Sequence, residues 1–251
     1  MKSIVIFNQK GGVGKTTTVA NIMAEMTARG KKVLALDLDA QGNLTRFLDV
    51  RTDGQNTVRE LLLKDATFEE TVVHTKYGDL IPSDEALQGE LLRFASMPAF
   101  IISIRTLITK LTQYDIILMD CAPSPNQLSA AALVATDYVI IPTEAEYFSA
   151  DGVKKIAETI NQVRQMNPTL DIMGLLVVKY NQRRSLTKTF ESVLEKQAKD
   201  LLGSRVFESE IRFTVDIPTS QALHLSVSDY KKNCGAADDY RQLTDEILRL
   251  M

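Results

Sequence analysis

The feature that most constrains the fold of this chain is a glycine-rich loop near its start. The loop reads Gln9-Lys10-Gly11-Gly12-Val13-Gly14-Lys15-Thr16-Thr17. It follows an apolar run at 3–8 and precedes a segment with helical spacing at 16–29. Glycines in such a strand-to-helix turn let backbone N–H groups converge on phosphate oxygens, and the helix N-terminus adds a favourable dipole. The sequence therefore predicts a phosphate-binding loop, or P-loop.

Two lysines in this loop are expected to act differently. Lys15 has the position of the lysine that holds β- and γ-phosphates, and the Thr16 hydroxyl has that of a Mg²⁺ ligand. The common pattern G-x-x-x-x-G-K-[ST] fails at its first glycine, where this chain has Gln9. Lys10 comes next, five residues before Lys15. Its flexible ammonium is not expected to reach the same phosphate from the same side.

The rest of the chain alternates short apolar runs with longer segments of helical spacing. Because the runs are nearly all apolar, they are typical of strands that are covered on both faces. The alternation predicts an α/β fold with a mostly parallel sheet and helices on both faces. We expect strands at 3–8, 32–37, 115–120, 137–142 and 171–180, and helices at 16–29, 151–166, 186–202 and 236–250.

No linker rich in Ser, Gly or Pro divides the 251 residues, so we expect a single domain over 1–251. The segment 53–97 is less regular, with leucine clusters on both sides of a strand candidate at 79–82. It is interpreted as a largely helical insertion that precedes the strand at 115–120. Packing into the core is one explanation of its apolar clusters, and a surface for a partner is the other.

Two acidic segments follow apolar strands. Asp37 and Asp39 come at the end of the second strand, and Asp120 ends the strand at 115–120. Because α/β sheets bind ligands at the carboxyl ends of their strands, these carboxylates are expected near the P-loop. Asp120 is then placed to hold Mg²⁺, directly or through water. Solvated turn residues are the other interpretation of these acids.

These segments resemble the deviant Walker A ATPases of the ParA/MinD family. The P-loop with Lys10 is similar to the family's signature loop. The segment 36–43 resembles its switch I motif, with Ala40 in place of the usual proline. The segment 114–124 resembles its Walker B strand and switch II, with Ala122 as a departure. The resemblance covers nearly the whole chain.

The resemblance implies the P-loop NTPase fold, with a doubly wound sheet, and a homodimer that encloses two ATP molecules with Mg²⁺. In such a dimer the signature lysine, here Lys10, reaches the nucleotide of the other subunit. Asp39 is then expected to orient the attacking water, and Asp120 to bind Mg²⁺. Asp37 is expected to support either Mg²⁺ or the loop. Asn181 is a candidate for the adenine, although an asparagine there equally fits a turn.

Charge restricts what the surface binds. The net charge of −3 excludes coating of nucleic acid by bulk charge. Residues 1–150 carry −4, residues 151–251 carry +1, and the stretch 176–205 carries +4. A dimer would double this basic stretch, which favours sequence-independent contacts with DNA phosphates, although a solvated helix face is the other interpretation. The candidate DNA contacts are Arg184, Lys188, Lys196, Lys199 and Arg212.

Several other classes of protein are disfavoured. The two cysteines, Cys121 and Cys234, show no zinc or iron–sulfur spacing, and they fit a reducing cytosol. The apolar run before the P-loop is too short for a signal peptide. The last helical segment is acidic around 238–246, which argues against an anionic membrane as a partner.

The expected function is that of a ParA-like partition ATPase for a plasmid or chromosome. It would dimerise on ATP, bind DNA without sequence preference, and be released when a ParB-type centromere-binding partner stimulates slow hydrolysis. Its location would be cytoplasmic and nucleoid-associated. The alternative is a ParA-like ATPase that positions a protein cargo, such as a carboxysome or a chemoreceptor cluster. A metabolic P-loop enzyme such as a kinase is a third possibility, for which no second-substrate motif is found.

Overall fold

The computed structural model describes residues 1–144, 150–180 and 187–251, with the side chains except those at 98, 150, 151 and 187–191. The strands in these ranges are β1 (Lys2–Ile6), β2 (Val33–Leu38), β3 (Val73–Thr75), β4 (Gly78–Ile81), β5 (Ile116–Cys121), β6 (Tyr138–Glu144), β7 (Asp171–Tyr180) and β8 (Ile211–Arg212). They form one sheet in the order β3-β4-β2-β5-β1-β6-β7-β8. Neighbouring strands are parallel, with β3 against β4 as the antiparallel pair.

Helices cover both faces of this sheet. In the described ranges they are α1 (Lys15–Ala28), α2 (Asn43–Phe47), α3 (Val58–Leu63), α4 (Phe68–Thr71), α5 (Leu87–Ala95), a 3₁₀ helix (Pro98–Ile102), α6 (Ser103–Ile108), α7 (Gln127–Ala135), α8 (Ala150–Arg164), α9 (Thr187–Leu202), α10 (Asp216–Ala222), α11 (Val227–Tyr230) and α12 (Gly235–Leu250). One core cluster packs α3 and α5 to α9 on one face, and a second packs α1, α2, α11 and α12 on the other.

None of the helices in the described ranges is by itself long and apolar enough to cross a membrane. One pair, Leu87–Ala95 with Ala99–Ile108, meets the length and composition only when its two parts are joined across a bend of 115°.

The predicted α/β fold is confirmed, and its physical cause is visible in the central strands. Every residue of β2 and β5 is buried, because helices lie on both faces and no side chain meets solvent. Each large aliphatic side chain buried in this way stabilises the fold by about 1.5 to 3 kcal/mol relative to leaving it exposed. The strand order reverses at β1, which places the P-loop at the switch point of the sheet.

The predicted boundaries agree closely with the structure at some elements and less well at others. The strand predicted at 171–180 has the bounds of β7, and the helix predicted at 236–250 is α12, which begins one residue earlier. The strand predicted at 137–142 ends too early, since β6 continues two residues further, to Glu144. Proline lacks an N–H donor and often ends strands, but Pro142 is accommodated and its carbonyl accepts a hydrogen bond from Asn8.

The segment 53–97 contributes to the sheet as well as to the helical layer. The strand predicted at 79–82 is β4, which pairs in parallel with β2, and β3 is an additional strand that the sequence did not predict. The segment is therefore not purely helical. Leu62 and Leu87 are buried in the core, which agrees with the packing interpretation, whereas Leu92 is 85% exposed.

Candidate functional site

The P-loop connects β1 to α1 at the carboxyl edge of the sheet. Gly12 and Gly14 have φ of 75° and 78°, a left-handed conformation that L side chains rarely adopt. Val13 between them is buried and anchors the loop in the protein. Gly14 is the N-cap of α1, and no side chain in the described ranges caps this end of the helix. The N–H groups of the first helical turn are therefore available to an anion at the loop.

The Lys15 side chain lies across this loop. Its Nζ donates hydrogen bonds of 2.9 Å to the carbonyl oxygens of Asn8 and Lys10. Burial lowers the pKa of Lys15, and the nearby carboxylate of Asp120 opposes that shift. A buried ammonium held by two carbonyl dipoles is a fixed point of positive charge, which suits it to phosphate oxygens.

The Lys10 side chain points elsewhere, to the end of β6. Its Nζ lies 3.3 Å from Glu144 Oε2, and the side chain is 44% exposed. Lys179, near the end of β7, pairs with the other oxygen of Glu144 and donates a 2.8 Å hydrogen bond to the carbonyl of Gly12. Burial opposes ionisation of Glu144, but the two ammonium groups outweigh it and lower its pKa. The side chains of the two P-loop lysines thus point in different directions, Lys15 across the loop and Lys10 towards the end of β6.

Asp120 lies at the end of β5, beside the P-loop threonine. Thr16 Oγ1 donates a 2.6 Å hydrogen bond to Asp120 Oδ2. The other carboxylate oxygen, Oδ1, is buried and has no hydrogen-bond partner among the described residues. Burial, with the charge of Asp37 as the next cause, raises the pKa of Asp120 well above its ordinary value. An unpaired carboxylate oxygen beside a hydroxyl fits a hard divalent cation such as Mg²⁺.

Asp37 lies beside Asp120, since the two residues are partners in the register of β2 and β5. Its carboxylate is fully buried and accepts hydrogen bonds from Thr45 N (2.9 Å), Thr45 Oγ1 (2.8 Å) and Asp39 N (3.2 Å). Burial raises the pKa of Asp37 to about 6, and the Thr45 donors oppose the shift. Of the two roles open to Asp37, these contacts match support of the loop.

Asp39 is the first residue after β2 and is nearly buried. One of its carboxylate oxygens accepts a 3.0 Å hydrogen bond from the N–H of Gln41. Its charge adds, after burial and Asp37, to the raised pKa of Asp120. Asp39 is thus held within electrostatic reach of the position where Thr16 and Asp120 meet.

Comparison with known proteins agrees with this geometry. The family described as an AAA domain matches residues 1–172 of the chain. The chain is 33% identical over 250 residues to the chromosome-partitioning ATPase Soj of Thermus thermophilus, covering 99% of this chain and 96% of that protein. It is 31% identical over 258 residues to the chromosome partitioning protein ParA of Caulobacter vibrioides, covering 99% and 94%.

The chain belongs to the ParA/MinD family of P-loop ATPases. A solved structure of similar shape is cobyrinic acid a,c-diamide synthase from Mycobacterium smegmatis with a bound ATP analog and magnesium. It has a TM-score of 0.87 and 30% sequence identity, and the match covers 99% of this chain and 94% of that one. The ParA/MinD-type fold expected from the sequence is thereby confirmed.

Several residues that shape this ParA/MinD-type site were not predicted. Asn8 is buried, accepts a 2.9 Å hydrogen bond from Lys10 N and donates one of 2.7 Å to the carbonyl of Pro142. An asparagine that bonds the backbone two residues ahead is a local signal, which could have identified Asn8. Glu144 and Lys179 offered no such signal, since Glu144 lies 134 residues from the lysine that it pairs with.

The predicted adenine contact and the predicted DNA contacts differ in how much of their surroundings the structure describes. Asn181, the adenine candidate, and Arg184 lie outside the described residues, as does the side chain of Lys188. Lys196 and Lys199 are exposed on α9. The opposite stripe of that helix is buried in the core and consists of Leu194, Ala198 and Leu202.

Arg212 is engaged within the fold. Its Nε and Nη2 donate hydrogen bonds of 2.8 Å and 2.6 Å to the two oxygens of Asp239, a buried carboxylate on α12. Such a bidentate pair is the strong geometry for arginine, and it compensates the charge of the guanidinium. The pair with Asp239 ties β8 to α12, so Arg212 already has a partner within the fold.

Proposed function

We propose that this ParA-like ATPase partitions DNA by a nucleotide-controlled cycle. It dimerises on ATP, binds DNA without sequence preference, and leaves the DNA when a ParB-type centromere-binding partner stimulates slow hydrolysis. The observation that carries the proposal is the P-loop with two lysines aimed in different directions, beside Asp120, whose buried Oδ1 has no hydrogen-bond partner within the described part of the chain. The partition roles printed for the Soj and ParA relatives support it.

The ligand assigned to the site is ATP with Mg²⁺. Lys15 and the N–H groups at the start of α1 would hold the phosphates, and Thr16 and Asp120 would hold Mg²⁺. No cluster of three or more His, Cys, Asp or Glu side chains that could hold a metal is present in the described residues. The remaining ligands would be phosphate oxygens and water, which Mg²⁺ accepts readily. The cation would neutralise charge that develops on the phosphate oxygens.

Asp39 is the residue we assign to the attacking water. It is anchored by Gln41 N–H at the end of β2, and its charge reaches Asp120. A carboxylate held in this way orients a water molecule and accepts its proton, a contribution of about 100-fold or more in many hydrolases.

The dimer would use Lys10 and two copies of the α9 surface. Lys10 is exposed at the rim of the P-loop, so a second subunit can approach it. Lys196 and Lys199 lie on the exposed side of α9, three residues apart and hence on one face. Doubling this face concentrates positive charge in a chain whose net charge is −3. Binding to the nucleoid in the cytoplasm would then depend on the nucleotide.

Co-sedimentation with DNA tests the proposal, with ATP, ADP or no nucleotide and from about 50 to 200 mM salt. We expect DNA binding with ATP but not with ADP or without nucleotide. This binding should weaken steeply as the salt concentration rises, because contacts with DNA phosphates dominate. Lys10→Ala should lose both the dimer, seen by light scattering, and the DNA. Asp39→Ala should bind DNA with ATP but stay on it, because hydrolysis is slowed.

The controls separate charge from position. Lys196→Gln with Lys199→Gln should weaken DNA binding and reduce the salt dependence by about two phosphate contacts per subunit. Lys31→Gln with Lys110→Gln removes the same charge before β2 and near β5, at the opposite edge of the sheet, and should change little. Equal binding without nucleotide would contradict the cycle. A dimer that forms with ATP but does not bind DNA would favour the alternative function, the positioning of a protein cargo.

A further inference from the structure

A single carboxylate, Glu144, is shared by two lysines at the mouth of the P-loop. Lys10 Nζ lies 3.3 Å from its Oε2, and Lys179 pairs with its Oε1. The Glu144 side chain is 13% exposed, whereas those of Lys10 and Lys179 are 44% and 49% exposed. The carboxylate is therefore the more buried member of the cluster, and the two lysines are its solvent-exposed members.

Lys179 links this carboxylate to the P-loop backbone. Its Nζ also donates a 2.8 Å hydrogen bond to the carbonyl of Gly12. The residue has φ of 56°, uncommon for a side chain other than glycine, at a shift in register between β7 and β8. Such strain in a strand is kept where the surrounding structure requires it, often at functional sites. Lys179 therefore bridges the Glu144 carboxylate and the P-loop backbone.

The position of Glu144 creates a competition for Lys10. An ammonium within 3.3 Å of Glu144 lies against its own chain and cannot contact a nucleotide in a second subunit at the same time. Leaving Glu144 is easy, because Lys10 is exposed and Lys179 stays behind to compensate the carboxylate. An ion pair of this kind is weak enough to exchange and strong enough to bias an equilibrium.

We propose that Glu144 is a positioning residue that holds Lys10 on its own subunit and so opposes dimerisation until nucleotide phosphates compete for the lysine. The inference rests on the proposed ATP-dependent dimer and adds what sets the ATP concentration at which the dimer forms. Glu144 sets how much ATP is needed for Lys10 to change partners, and Lys179 weakens the hold by sharing the carboxylate.

The two partners of this cluster give effects of opposite sign. Glu144→Gln keeps the shape and removes the charge, so half-maximal dimer formation should need about two- to fivefold less ATP analog. Lys179→Gln removes the competing lysine, so Glu144 holds Lys10 more strongly. The concentration of ATP analog needed for half-maximal dimer formation should then rise by a similar factor. The measurement is the dimer fraction by light scattering against a non-hydrolysable ATP analog with Mg²⁺.

A salt series and a matched variant separate this role from a structural one. Because screening weakens the pair, the gap between Glu144→Gln and the parent should close at about 1 M salt. Glu90→Gln removes the same charge from an ion pair with Arg93 on α5 and should leave the threshold unchanged. Analog binding to monomers, measured by fluorescence below the dimerisation concentration, should change less than dimer formation.

The results have distinct meanings. A Glu144→Gln protein that needs as much analog as the parent, or more, overturns the inference, and so does a gap that persists at high salt. An equal change in monomer binding overturns it too, since Glu144 would then act on the nucleotide. A parent that forms no dimer with the analog overturns the proposed function itself. Should Glu144→Gln fail to fold, the sign of the Lys179→Gln effect decides.

Discussion

The ends of β2 and β5 carry two aspartates that share charge and burial but not surroundings. Asp37 and Asp120 are partners in the sheet register, and both are fully buried. Asp37 accepts three hydrogen bonds from switch I and the following helix. Asp120 accepts one from Thr16 and keeps an oxygen without a partner in the described structure. Two neighbouring residues of one type therefore differ in how far the fold satisfies their carboxylates.

The physical reason is desolvation. A buried carboxylate is costly unless hydrogen bonds or a cation compensate it, and two adjacent ones also repel each other. At Asp37 the chain itself supplies the compensation. At Asp120 the compensation is incomplete, so we expect the proposed Mg²⁺ to stabilise the site. The same substitution, Asp to Asn, is therefore expected to act differently at the two positions.

The largest effect is expected from Asp120→Asn. It removes a charged Mg²⁺ ligand at constant shape, so ATP turnover should fall on the order of 100-fold or more. Phosphate release measures turnover, and calorimetry of ATP binding with and without Mg²⁺ should show that the gain from the cation is lost. Turnover within tenfold of the parent would remove Asp120 from the cation site.

Asp37→Asn should act chiefly on stability and through pH. The pKa of Asp37 is about 6 in the fold against an ordinary 3.8, so between these values the folded protein binds a proton that the unfolded chain has lost. Its contribution to the free energy of unfolding therefore falls as pH rises from about 4 to about 6, by on the order of 3 kcal/mol.

Urea unfolding of the parent and of Asp37→Asn, without Mg²⁺ and from about pH 4.5 to 7, measures this. The parent should lose stability relative to the variant as pH rises, because titrating groups remote from this pair of aspartates cancel in the difference. Removal of the Asp37 charge also lessens the rise in the pKa of Asp120, which acts in the same direction. A difference that does not vary with pH would mean that Asp37 is ionised throughout, like an exposed aspartate.

Thr45→Val should have the smallest effect. Its hydroxyl donates to Asp37 and accepts a 2.9 Å hydrogen bond from Ser83 N, so its removal should cost about 1 to 3 kcal/mol by leaving buried polar groups unpaired. Thr244→Val is the matched control, because that buried hydroxyl donates to the carbonyl of Tyr240 one helical turn earlier. Urea unfolding measures the free energy of unfolding of both variants. An equal decrease in the two would show that Asp37 gains nothing specific from Thr45.

Much of the frame was predictable because its signals are local. The apolar runs and the glycine positions determine strands, helices and the P-loop, and 171–180 is the clearest case. Asp37 and Asp120 were identified because acids that follow buried strands meet at one edge of a parallel sheet. The roles of Lys10, Asp39 and Asp120 in the reaction stay predictions.

The sequence by itself determined the ParA/MinD-type fold and the chemical groups at its nucleotide edge, since strand burial and loop geometry depend on neighbouring residues. Only the tertiary structure decided which of two identical carboxylates is satisfied, and that Glu144 and Lys179 stand beside Lys10. The first fact depends on the pairing of β2 with β5. The second depends on β6 pairing with β1 and β7 with β6, which brings together residues 134 and 167 positions apart in the chain. Contacts over such separations leave no periodicity in a sequence, because the folded sheet alone brings them together.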